Sequence, residues 1–131
     1  MGRTEVVPKA RYAVYWERSS EFAKQMDRAA SEGAWSSVGL LGIHSVISAC
    51  DALTVQRAGQ RWSGQDHSGV VGMVGSLHLP DSDRIVRQIS RALEAKNRVE
   101  YESREFTGKE AEDVRQSASR VRAWVKSQLP P

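Results

Sequence analysis

His44, Ser48 and Asp51 fall four and three residues apart inside an apolar stretch of the chain. A helix stacks such positions in one line on one face. The line interrupts a segment that is otherwise apolar or small, so the Asp51 carboxylate must find a donor or a cation. A second interruption offers one. Lys96, Asn97 and Glu100 break the apolar face of a later helix, with Lys96 and Glu100 spaced to touch each other. Two arrangements are open at this level. His44, Ser48, Asp51, Lys96 and Glu100 form one polar interior site, or Asp51 is held in a structural ion pair by Lys96 or a nearby Arg. A metal site is not expected, because His44, Asp51 and Glu100 form no compact ligand motif and Cys50 points away from His44. No cofactor motif is present either.

Phosphate chemistry has its own candidates. Asp66 reads as an N-cap and His67 stands beside it, at a helix start where backbone N–H groups favour anions. On a helix of about 100 degrees per residue, Arg84, Arg87, Arg91 and Arg98 fall within roughly 60 degrees of one another. Such a stripe can track phosphates, and it is also what a solvated helix face looks like. His67 has the same double aspect, a phosphate ligand or a loop histidine. Gly69, Gly72 and Gly75 do not make a phosphate loop, since no Gly-Lys-Ser/Thr follows them and no strand is expected before them.

The elements that would position these groups are helices. Ala34 to Arg57 has no wide polar face, with Val38, Leu40, Leu41, Ile43, Val46, Ile47 and Leu53 distributed around it, so neighbours must cover it on several sides. It is the central helix. Ahead of it, Pro8 to Ala30 repeats Tyr12, Tyr15, Trp16, Ser19, Phe22, Ala23, Met26 and Ala30 at helical spacing, an outer helix closed by Gly33. Gly59 ends the central helix, and Gln60 to Gln65 reads as a loop. A short apolar helix follows Asp66, and its glycines are costly unless a neighbour approaches closely. Ser82 to Tyr101 forms a fourth helix. A last one opens on the capping box of Thr107 and Glu110 and stops at Pro130-Pro131. No strand candidate alternates over a sustained run. The expectation is an all-α, up-and-down bundle of four to five helices, a single domain over 1–131 with its ordered core at about 8–129.

Bulk composition narrows the partners only a little. The chain carries 19 Lys and Arg against 16 Asp and Glu, a formal charge of +3, which is far from a polybasic tail. Cys50 is the only cysteine, so no intrachain disulfide forms, and this favours a reducing compartment. Met1-Gly2-Arg3-Thr4-Glu5 has none of the character of a signal peptide, and Val6 stands where a myristoylation signal needs Ser or Thr. The expectation is a cytoplasmic protein with no membrane partner.

Gly42-Ile43-His44-Ser45-Val46-Ile47-Ser48-Ala49-Cys50-Asp51-Ala52-Leu53, then Asp66-His67, then Lys96-Asn97-Arg98-Val99-Glu100-Tyr101-Glu102 together resemble the HEPN superfamily. The resemblance covers about Pro8 to Leu129. It implies a bundle of four to five helices, a homodimer, and a role as a ribonuclease or as the companion of a nucleotidyltransferase in toxin-antitoxin and defence systems. Active ribonucleases of that family carry an Arg, often followed by Asn, and a His four to six residues beyond the Arg. Here the matching segment has Lys96, Asn97 and then Tyr101 in the histidine's place, and no histidine follows His78. A phenol titrates near pH 10 and is a poor proton shuttle at neutral pH. The resemblance therefore implies a dimeric nucleotide- or RNA-binding module lacking the usual ribonuclease motif. An atypical nuclease built on Lys96, Asn97 and Tyr101, and a purely structural interaction bundle, are the alternatives.

Overall fold

The structure, a computed structural model, describes residues 3–64 and 66–131. Met1 and Gly2 of the amino-terminal segment and Gln65 of the expected loop lie outside the described residues. The elements run β1 (Thr4–Val6), a single 3-10 turn (Lys9–Arg11), α1 (Tyr12–Ser31), α2 (Trp35–Ala58), β2 (Gln60–Trp62), α3 (Ser68–Gly75), α4 (Ser82–Glu100) and α5 (Gly108–Gln128). The fold is an all-α helical bundle.

Its centre is α2. Ile43, Val46, Ala49, Cys50, Ala52, Leu53 and Val55 are completely shielded from solvent. The other helices are arranged to do the shielding. α1, α4 and α5 each pack directly on α2, α5 also packs on α4, and α3 sits against α2 and α4. By length and composition α2 could cross a membrane, and 83% of its most apolar window is buried inside the bundle. An apolar surface of that kind has to be covered by something, and here four helices of the same chain cover it.

Two glycines let the neighbours come close. A Cβ on Gly39 would stand 2.7 Å from the Phe106 ring and 2.8 Å from Val99, and one on Gly42 would stand 2.7 Å from Val114 and 3.1 Å from the Met26 sulfur. Gly39 and Gly42 are thus used for packing within the chain. Both are buried, whereas Ser37 on the same helix is exposed.

Local rules set most helix ends. Gly33 and Gly59 both adopt left-handed φ, +69° and +66°, and α2 terminates with the Gly59 N–H donating to the Val55 carbonyl. Thr107 Oγ1 accepts from the Glu110 N–H at 3.2 Å, and the Glu110 carboxylate accepts from the Thr107 N–H at 3.1 Å. The same carboxylate takes a two-pronged contact from Arg104, at 2.9 and 2.8 Å. Those Arg104 hydrogen bonds, followed by the Thr107 backbone donor, hold the Glu110 carboxyl down at about 2.

Two expectations need correction. The first concerns Gln60 to Trp62, expected as loop. It is a strand, paired antiparallel with β1 in the register Thr4 with Trp62, Glu5 with Arg61 and Val6 with Gln60. Three-residue strands are too short to show alternation in sequence, and the Val7 N–H to Gly59 carbonyl and Ser63 N–H to Arg3 carbonyl bonds extend the ribbon at its two ends. The second concerns Asp66. His67 is the capping residue of α3, and Asp66 acts one step earlier, its Oδ1 accepting from the Ser68 N–H at 3.0 Å. Of the three glycines in α3, only Gly69 meets a close neighbour, the Trp62 indole, which leaves no room for a Cβ.

Adding one methyl at Gly42 is therefore expected to destabilise the folded chain by about 1–3 kcal/mol through overpacking. Urea unfolding of Gly42→Ala against wild type measures it. Unchanged stability with a changed sedimentation coefficient would instead place this glycine at a contact between copies.

Candidate functional site

The polar residues singled out in the sequence do not gather into one interior site. Asp51 is buried, 4% exposed, as a carboxylate in that stretch must be. Its partner is not Lys96. Arg61 of β2 donates from Nε to Asp51 Oδ2 at 3.3 Å and from Nη1 to Glu5 Oε2 of β1 at 2.9 Å. Arg61 also lies over the Tyr15 ring, 5.5 Å from its centroid, and Arg18 lies over the same ring at 5.3 Å. Burial pushes the Asp51 carboxyl up to about 6, against the opposing pull of Arg61 and, more weakly, Arg18. The arginine cannot fully compensate because it is shared with Glu5 and reaches solvent on its other side.

This cluster is a fastening for the two-stranded ribbon. Glu5 and Arg61 face each other in the strand register, and the same guanidinium reaches into the bundle to Asp51. The structural ion pair is thus the arrangement adopted, with an Arg and not Lys96. Ser48 is buried beside this line, 6% exposed.

Lys96 instead closes on its own helix, Nζ to Glu100 Oε2 at 2.6 Å, and lies 5.3 Å from the centroid of the Tyr101 ring. The hydrogen bond to Glu100 raises the lysine's proton affinity, and the same bond lowers that of Glu100. His44 belongs with this second group and not with Asp51. Its charge bears on both Glu100 and His67, while its ring packs against Phe22 at 5.8 Å between centroids. The proposed set of His44, Ser48, Asp51, Lys96 and Glu100 is therefore split in two. About two helical turns lie between His44 and Asp51, and they carry the two side chains to different neighbourhoods.

One open groove collects the rest. His67 and Ser68 from the start of α3, Ser90, Lys96 and Asn97 from α4, and Tyr101 just beyond it line a groove of about 460 Å³. Its α3 wall is held locally. Trp62 of β2 donates its indole N–H to the Asp66 carbonyl at 2.6 Å and packs its ring on Gly69, which fixes the turn carrying His67. Its α4 wall ends where the Asn97 carbonyl accepts from the N–H groups of Tyr101 and Glu102, at 2.9 and 3.2 Å, leaving Tyr101 72% exposed. Partial burial, then the charges of Lys96 and His44, lower the His67 pKa below its ordinary value of 6.5. At neutral pH the groove accordingly presents a neutral imidazole, an ammonium already engaged by a carboxylate, an amide, two hydroxyls, a phenol and the carboxylates of Asp66 and Glu94.

The arginine stripe does not join that cradle as a unit. Arg84 stands 3.9 Å from Asp81, and Arg98 Nε stands 3.0 Å from Glu110 Oε2 at an angle that makes an ion contact without a hydrogen bond. Arg91 and Arg98 line a separate groove of about 360 Å³ between α4 and α5, with Arg120, Glu94 and Asp113. Arg87 is exposed. Glu94 lines both grooves, so they adjoin along α4 with an acid between them. Among the described residues no group of three His, Cys, Asp or Glu side chains is placed to hold a metal ion.

Two residues of consequence were not legible beforehand. Arg61 and Glu5 sit in segments whose strand character is invisible at three residues, and only their pairing register sets Arg61 between Asp51 and Glu5.

Fold and groove together define a helical bundle with an open, polar groove between its third and fourth helices, in which Lys96 is, among the described residues, the one cation beside the carboxylates of Asp66 and Glu94. Compared with protein-family models, curated proteins and solved structures, the chain has no significant match.

The Asp51 carboxyl yields a pH prediction. Its folded value, about 6, lies above the ordinary 3.8. The folded state therefore holds the proton more tightly than the unfolded chain, and the stability this confers is complete below pH 3.8 and lost as the pH rises through 6. The shift corresponds to about 3 kcal/mol. Asp51→Asn should remove that slope, so the difference in unfolding free energy between the Asp51→Asn variant and the wild type should move in favour of the variant by that order between pH 4 and pH 7. Urea titrations of both proteins across that range measure it. A constant difference would mean that Asp51 stays ionised in its pair with Arg61.

Proposed function

We infer that this protein is a HEPN-like module that binds a nucleotide or RNA phosphate in the groove formed by His67, Lys96, Asn97 and Tyr101. The observation that carries the reading is convergence. Four side chains from one helix and two helix ends, chosen from sequence for phosphate or nuclease chemistry, share one open groove. A phosphate needs donors and a cation, which Asn97, Ser68, Ser90 and Lys96 provide, and an exposed aromatic ring such as Tyr101 offers a face to a base. The all-α bundle agrees with the resemblance noted in the sequence. A homodimer, a cytoplasmic setting and a nucleotidyltransferase partner in a toxin-antitoxin or defence system are parts of this proposal that rest on the resemblance alone.

A second reading, an atypical ribonuclease, is favoured by one specific placement. His67 shares the groove with Lys96 and Tyr101 although it is distant in sequence, and a histidine kept neutral at pH 7 is suited to accept a proton.

Binding of a fluorescent oligoribonucleotide and of a nucleoside monophosphate tests the first reading. Affinity should fall as salt rises, and Lys96→Ala should weaken it about tenfold. Glu100→Gln should strengthen it, because the carboxylate that engages Lys96 competes with the phosphate. Lowering the pH below 6.5 should also strengthen it as His67 gains its proton. No binding at any salt concentration would leave the structural interaction bundle as the function. The nuclease reading predicts metal-independent cleavage in EDTA that is lost in His67→Ala and Tyr101→Phe.

A further inference from the structure

A different groove lies on the opposite flank of α5. α1 and α5 both pack on α2, and between them runs a channel of about 500 Å³ with Trp16 and Met26 on one side and Arg115, Ser119 and Arg122 on the other. Long side chains bridge it. Arg115 Nε reaches Asp27 at 3.0 Å and its Nη1 stands 3.4 Å from Glu112, so this arginine is neutralised twice.

Arg122 is not neutralised. It forms no ion pair among the described residues; Nη2 donates to the Ser20 hydroxyl at 3.0 Å, and Nη1 is buried without an acceptor. Its guanidinium carbon lies 4.5 Å from the centroid of the Trp16 ring. Burial lowers its proton affinity, and the nearest influence in the other direction is Asp27, already held by Arg115. A half-buried guanidinium with an unused donor and no counter-charge is costly unless something supplies an anion. Trp16 is half-buried at this groove and offers its ring to whatever lies beside Arg122.

We propose that the α1–α5 groove is a second binding site, taking a small ligand whose oxyanion, phosphate or carboxylate, pairs with Arg122 while its body lies against Trp16 and Met26. Guanidinium suits this chemistry because its forked donors match two oxygens of either group. Lys126 at the end of the groove adds charge of the same sign. The volume is that of an ordinary small-molecule site. This site is separate from the groove at Lys96, so each can fail without the other.

The test follows the Trp16 indole N–H by NMR in the full chain, titrated with inorganic phosphate, with succinate, and with chloride at matched ionic strength. A saturable shift with phosphate or succinate and not with chloride is expected, and whichever anion acts identifies the ligand class. Arg122→Gln should weaken that response at least about tenfold, the loss expected for one charge-assisted contact. Ser119→Glu, three residues before Arg122 on an exposed position, should supply an internal counter-charge, abolish the response and leave the melting temperature equal or higher. That variant keeps the test decisive should Arg122→Gln fold poorly. Lys96→Ala should respond like wild type. A Trp16 signal unmoved by both anions, or Arg122→Gln or Ser119→Glu titrating like wild type, would overturn the site.

Discussion

Covering α2 on every side is the constraint from which the rest of the molecule follows. A helix with no polar face cannot be an outer helix of a small bundle, and its burial assigns α1, α4 and α5 their places before any of their own features are considered. Because α1 and α5 both serve α2 and do not pack broadly on each other, a groove opens between them. α3, only eight residues long, covers the remaining flank together with α4 and leaves a second one. The grooves are a geometric consequence of wrapping one cylinder with elements of unequal length.

Polar groups caught inside this arrangement are solved locally, and the solutions differ. Ser19 donates to the Ser45 carbonyl at 2.6 Å and Ser45 to the Gly42 carbonyl at 2.7 Å, so interior hydroxyls bind to carbonyls of α2 itself. Asp51 has no such option, since an ionised carboxylate cannot donate. It takes Arg61 from a ribbon that lies outside the helical core, and Glu5 then shares the cation. The ribbon and the interior acid stabilise each other: two three-residue strands are too short to persist alone, and Asp51 without Arg61 is an unpaired charge.

The parts of this fold that were legible in the sequence are those governed by neighbours along the chain. Apolar periodicity located α1, α2, α4 and α5; Gly33, Gly59 and the Thr107–Glu110 pair marked ends that adopt the expected cap geometry. The i to i+4 pairing of Lys96 with Glu100 was legible for the same reason. Contacts between distant segments were not. A helical wheel gives the direction in which Asp51 points but not which of several basic residues stands at that height, so Lys96 and Arg61 were indistinguishable until the register of β1 on β2 was known. Gly39 and Gly42 illustrate the same limit, because close approach is predictable from a small residue while the identity of what approaches is not.

The two grooves differ in how their charge is balanced, and that difference decides what each can do. In the α3–α4 groove the cation Lys96 is met by Glu100 at 2.6 Å and the carboxylates of Asp66 and Glu94 stand nearby, so on the proposed reading a phosphate would compete with carboxylates of the protein and would depend on added contacts from Asn97, the serines and Tyr101. The binding proposed there would depend on several weak contributions acting together. In the α1–α5 groove the cation Arg122 faces no carboxylate partner, and one ligand oxyanion removes an existing electrostatic penalty. A single group then carries most of the interaction, which suits a small molecule held by one charged end. The same bundle thus contains a shared-charge surface and an uncompensated one, and α5 separates the helix that bears the first from the helix that bears half of the second.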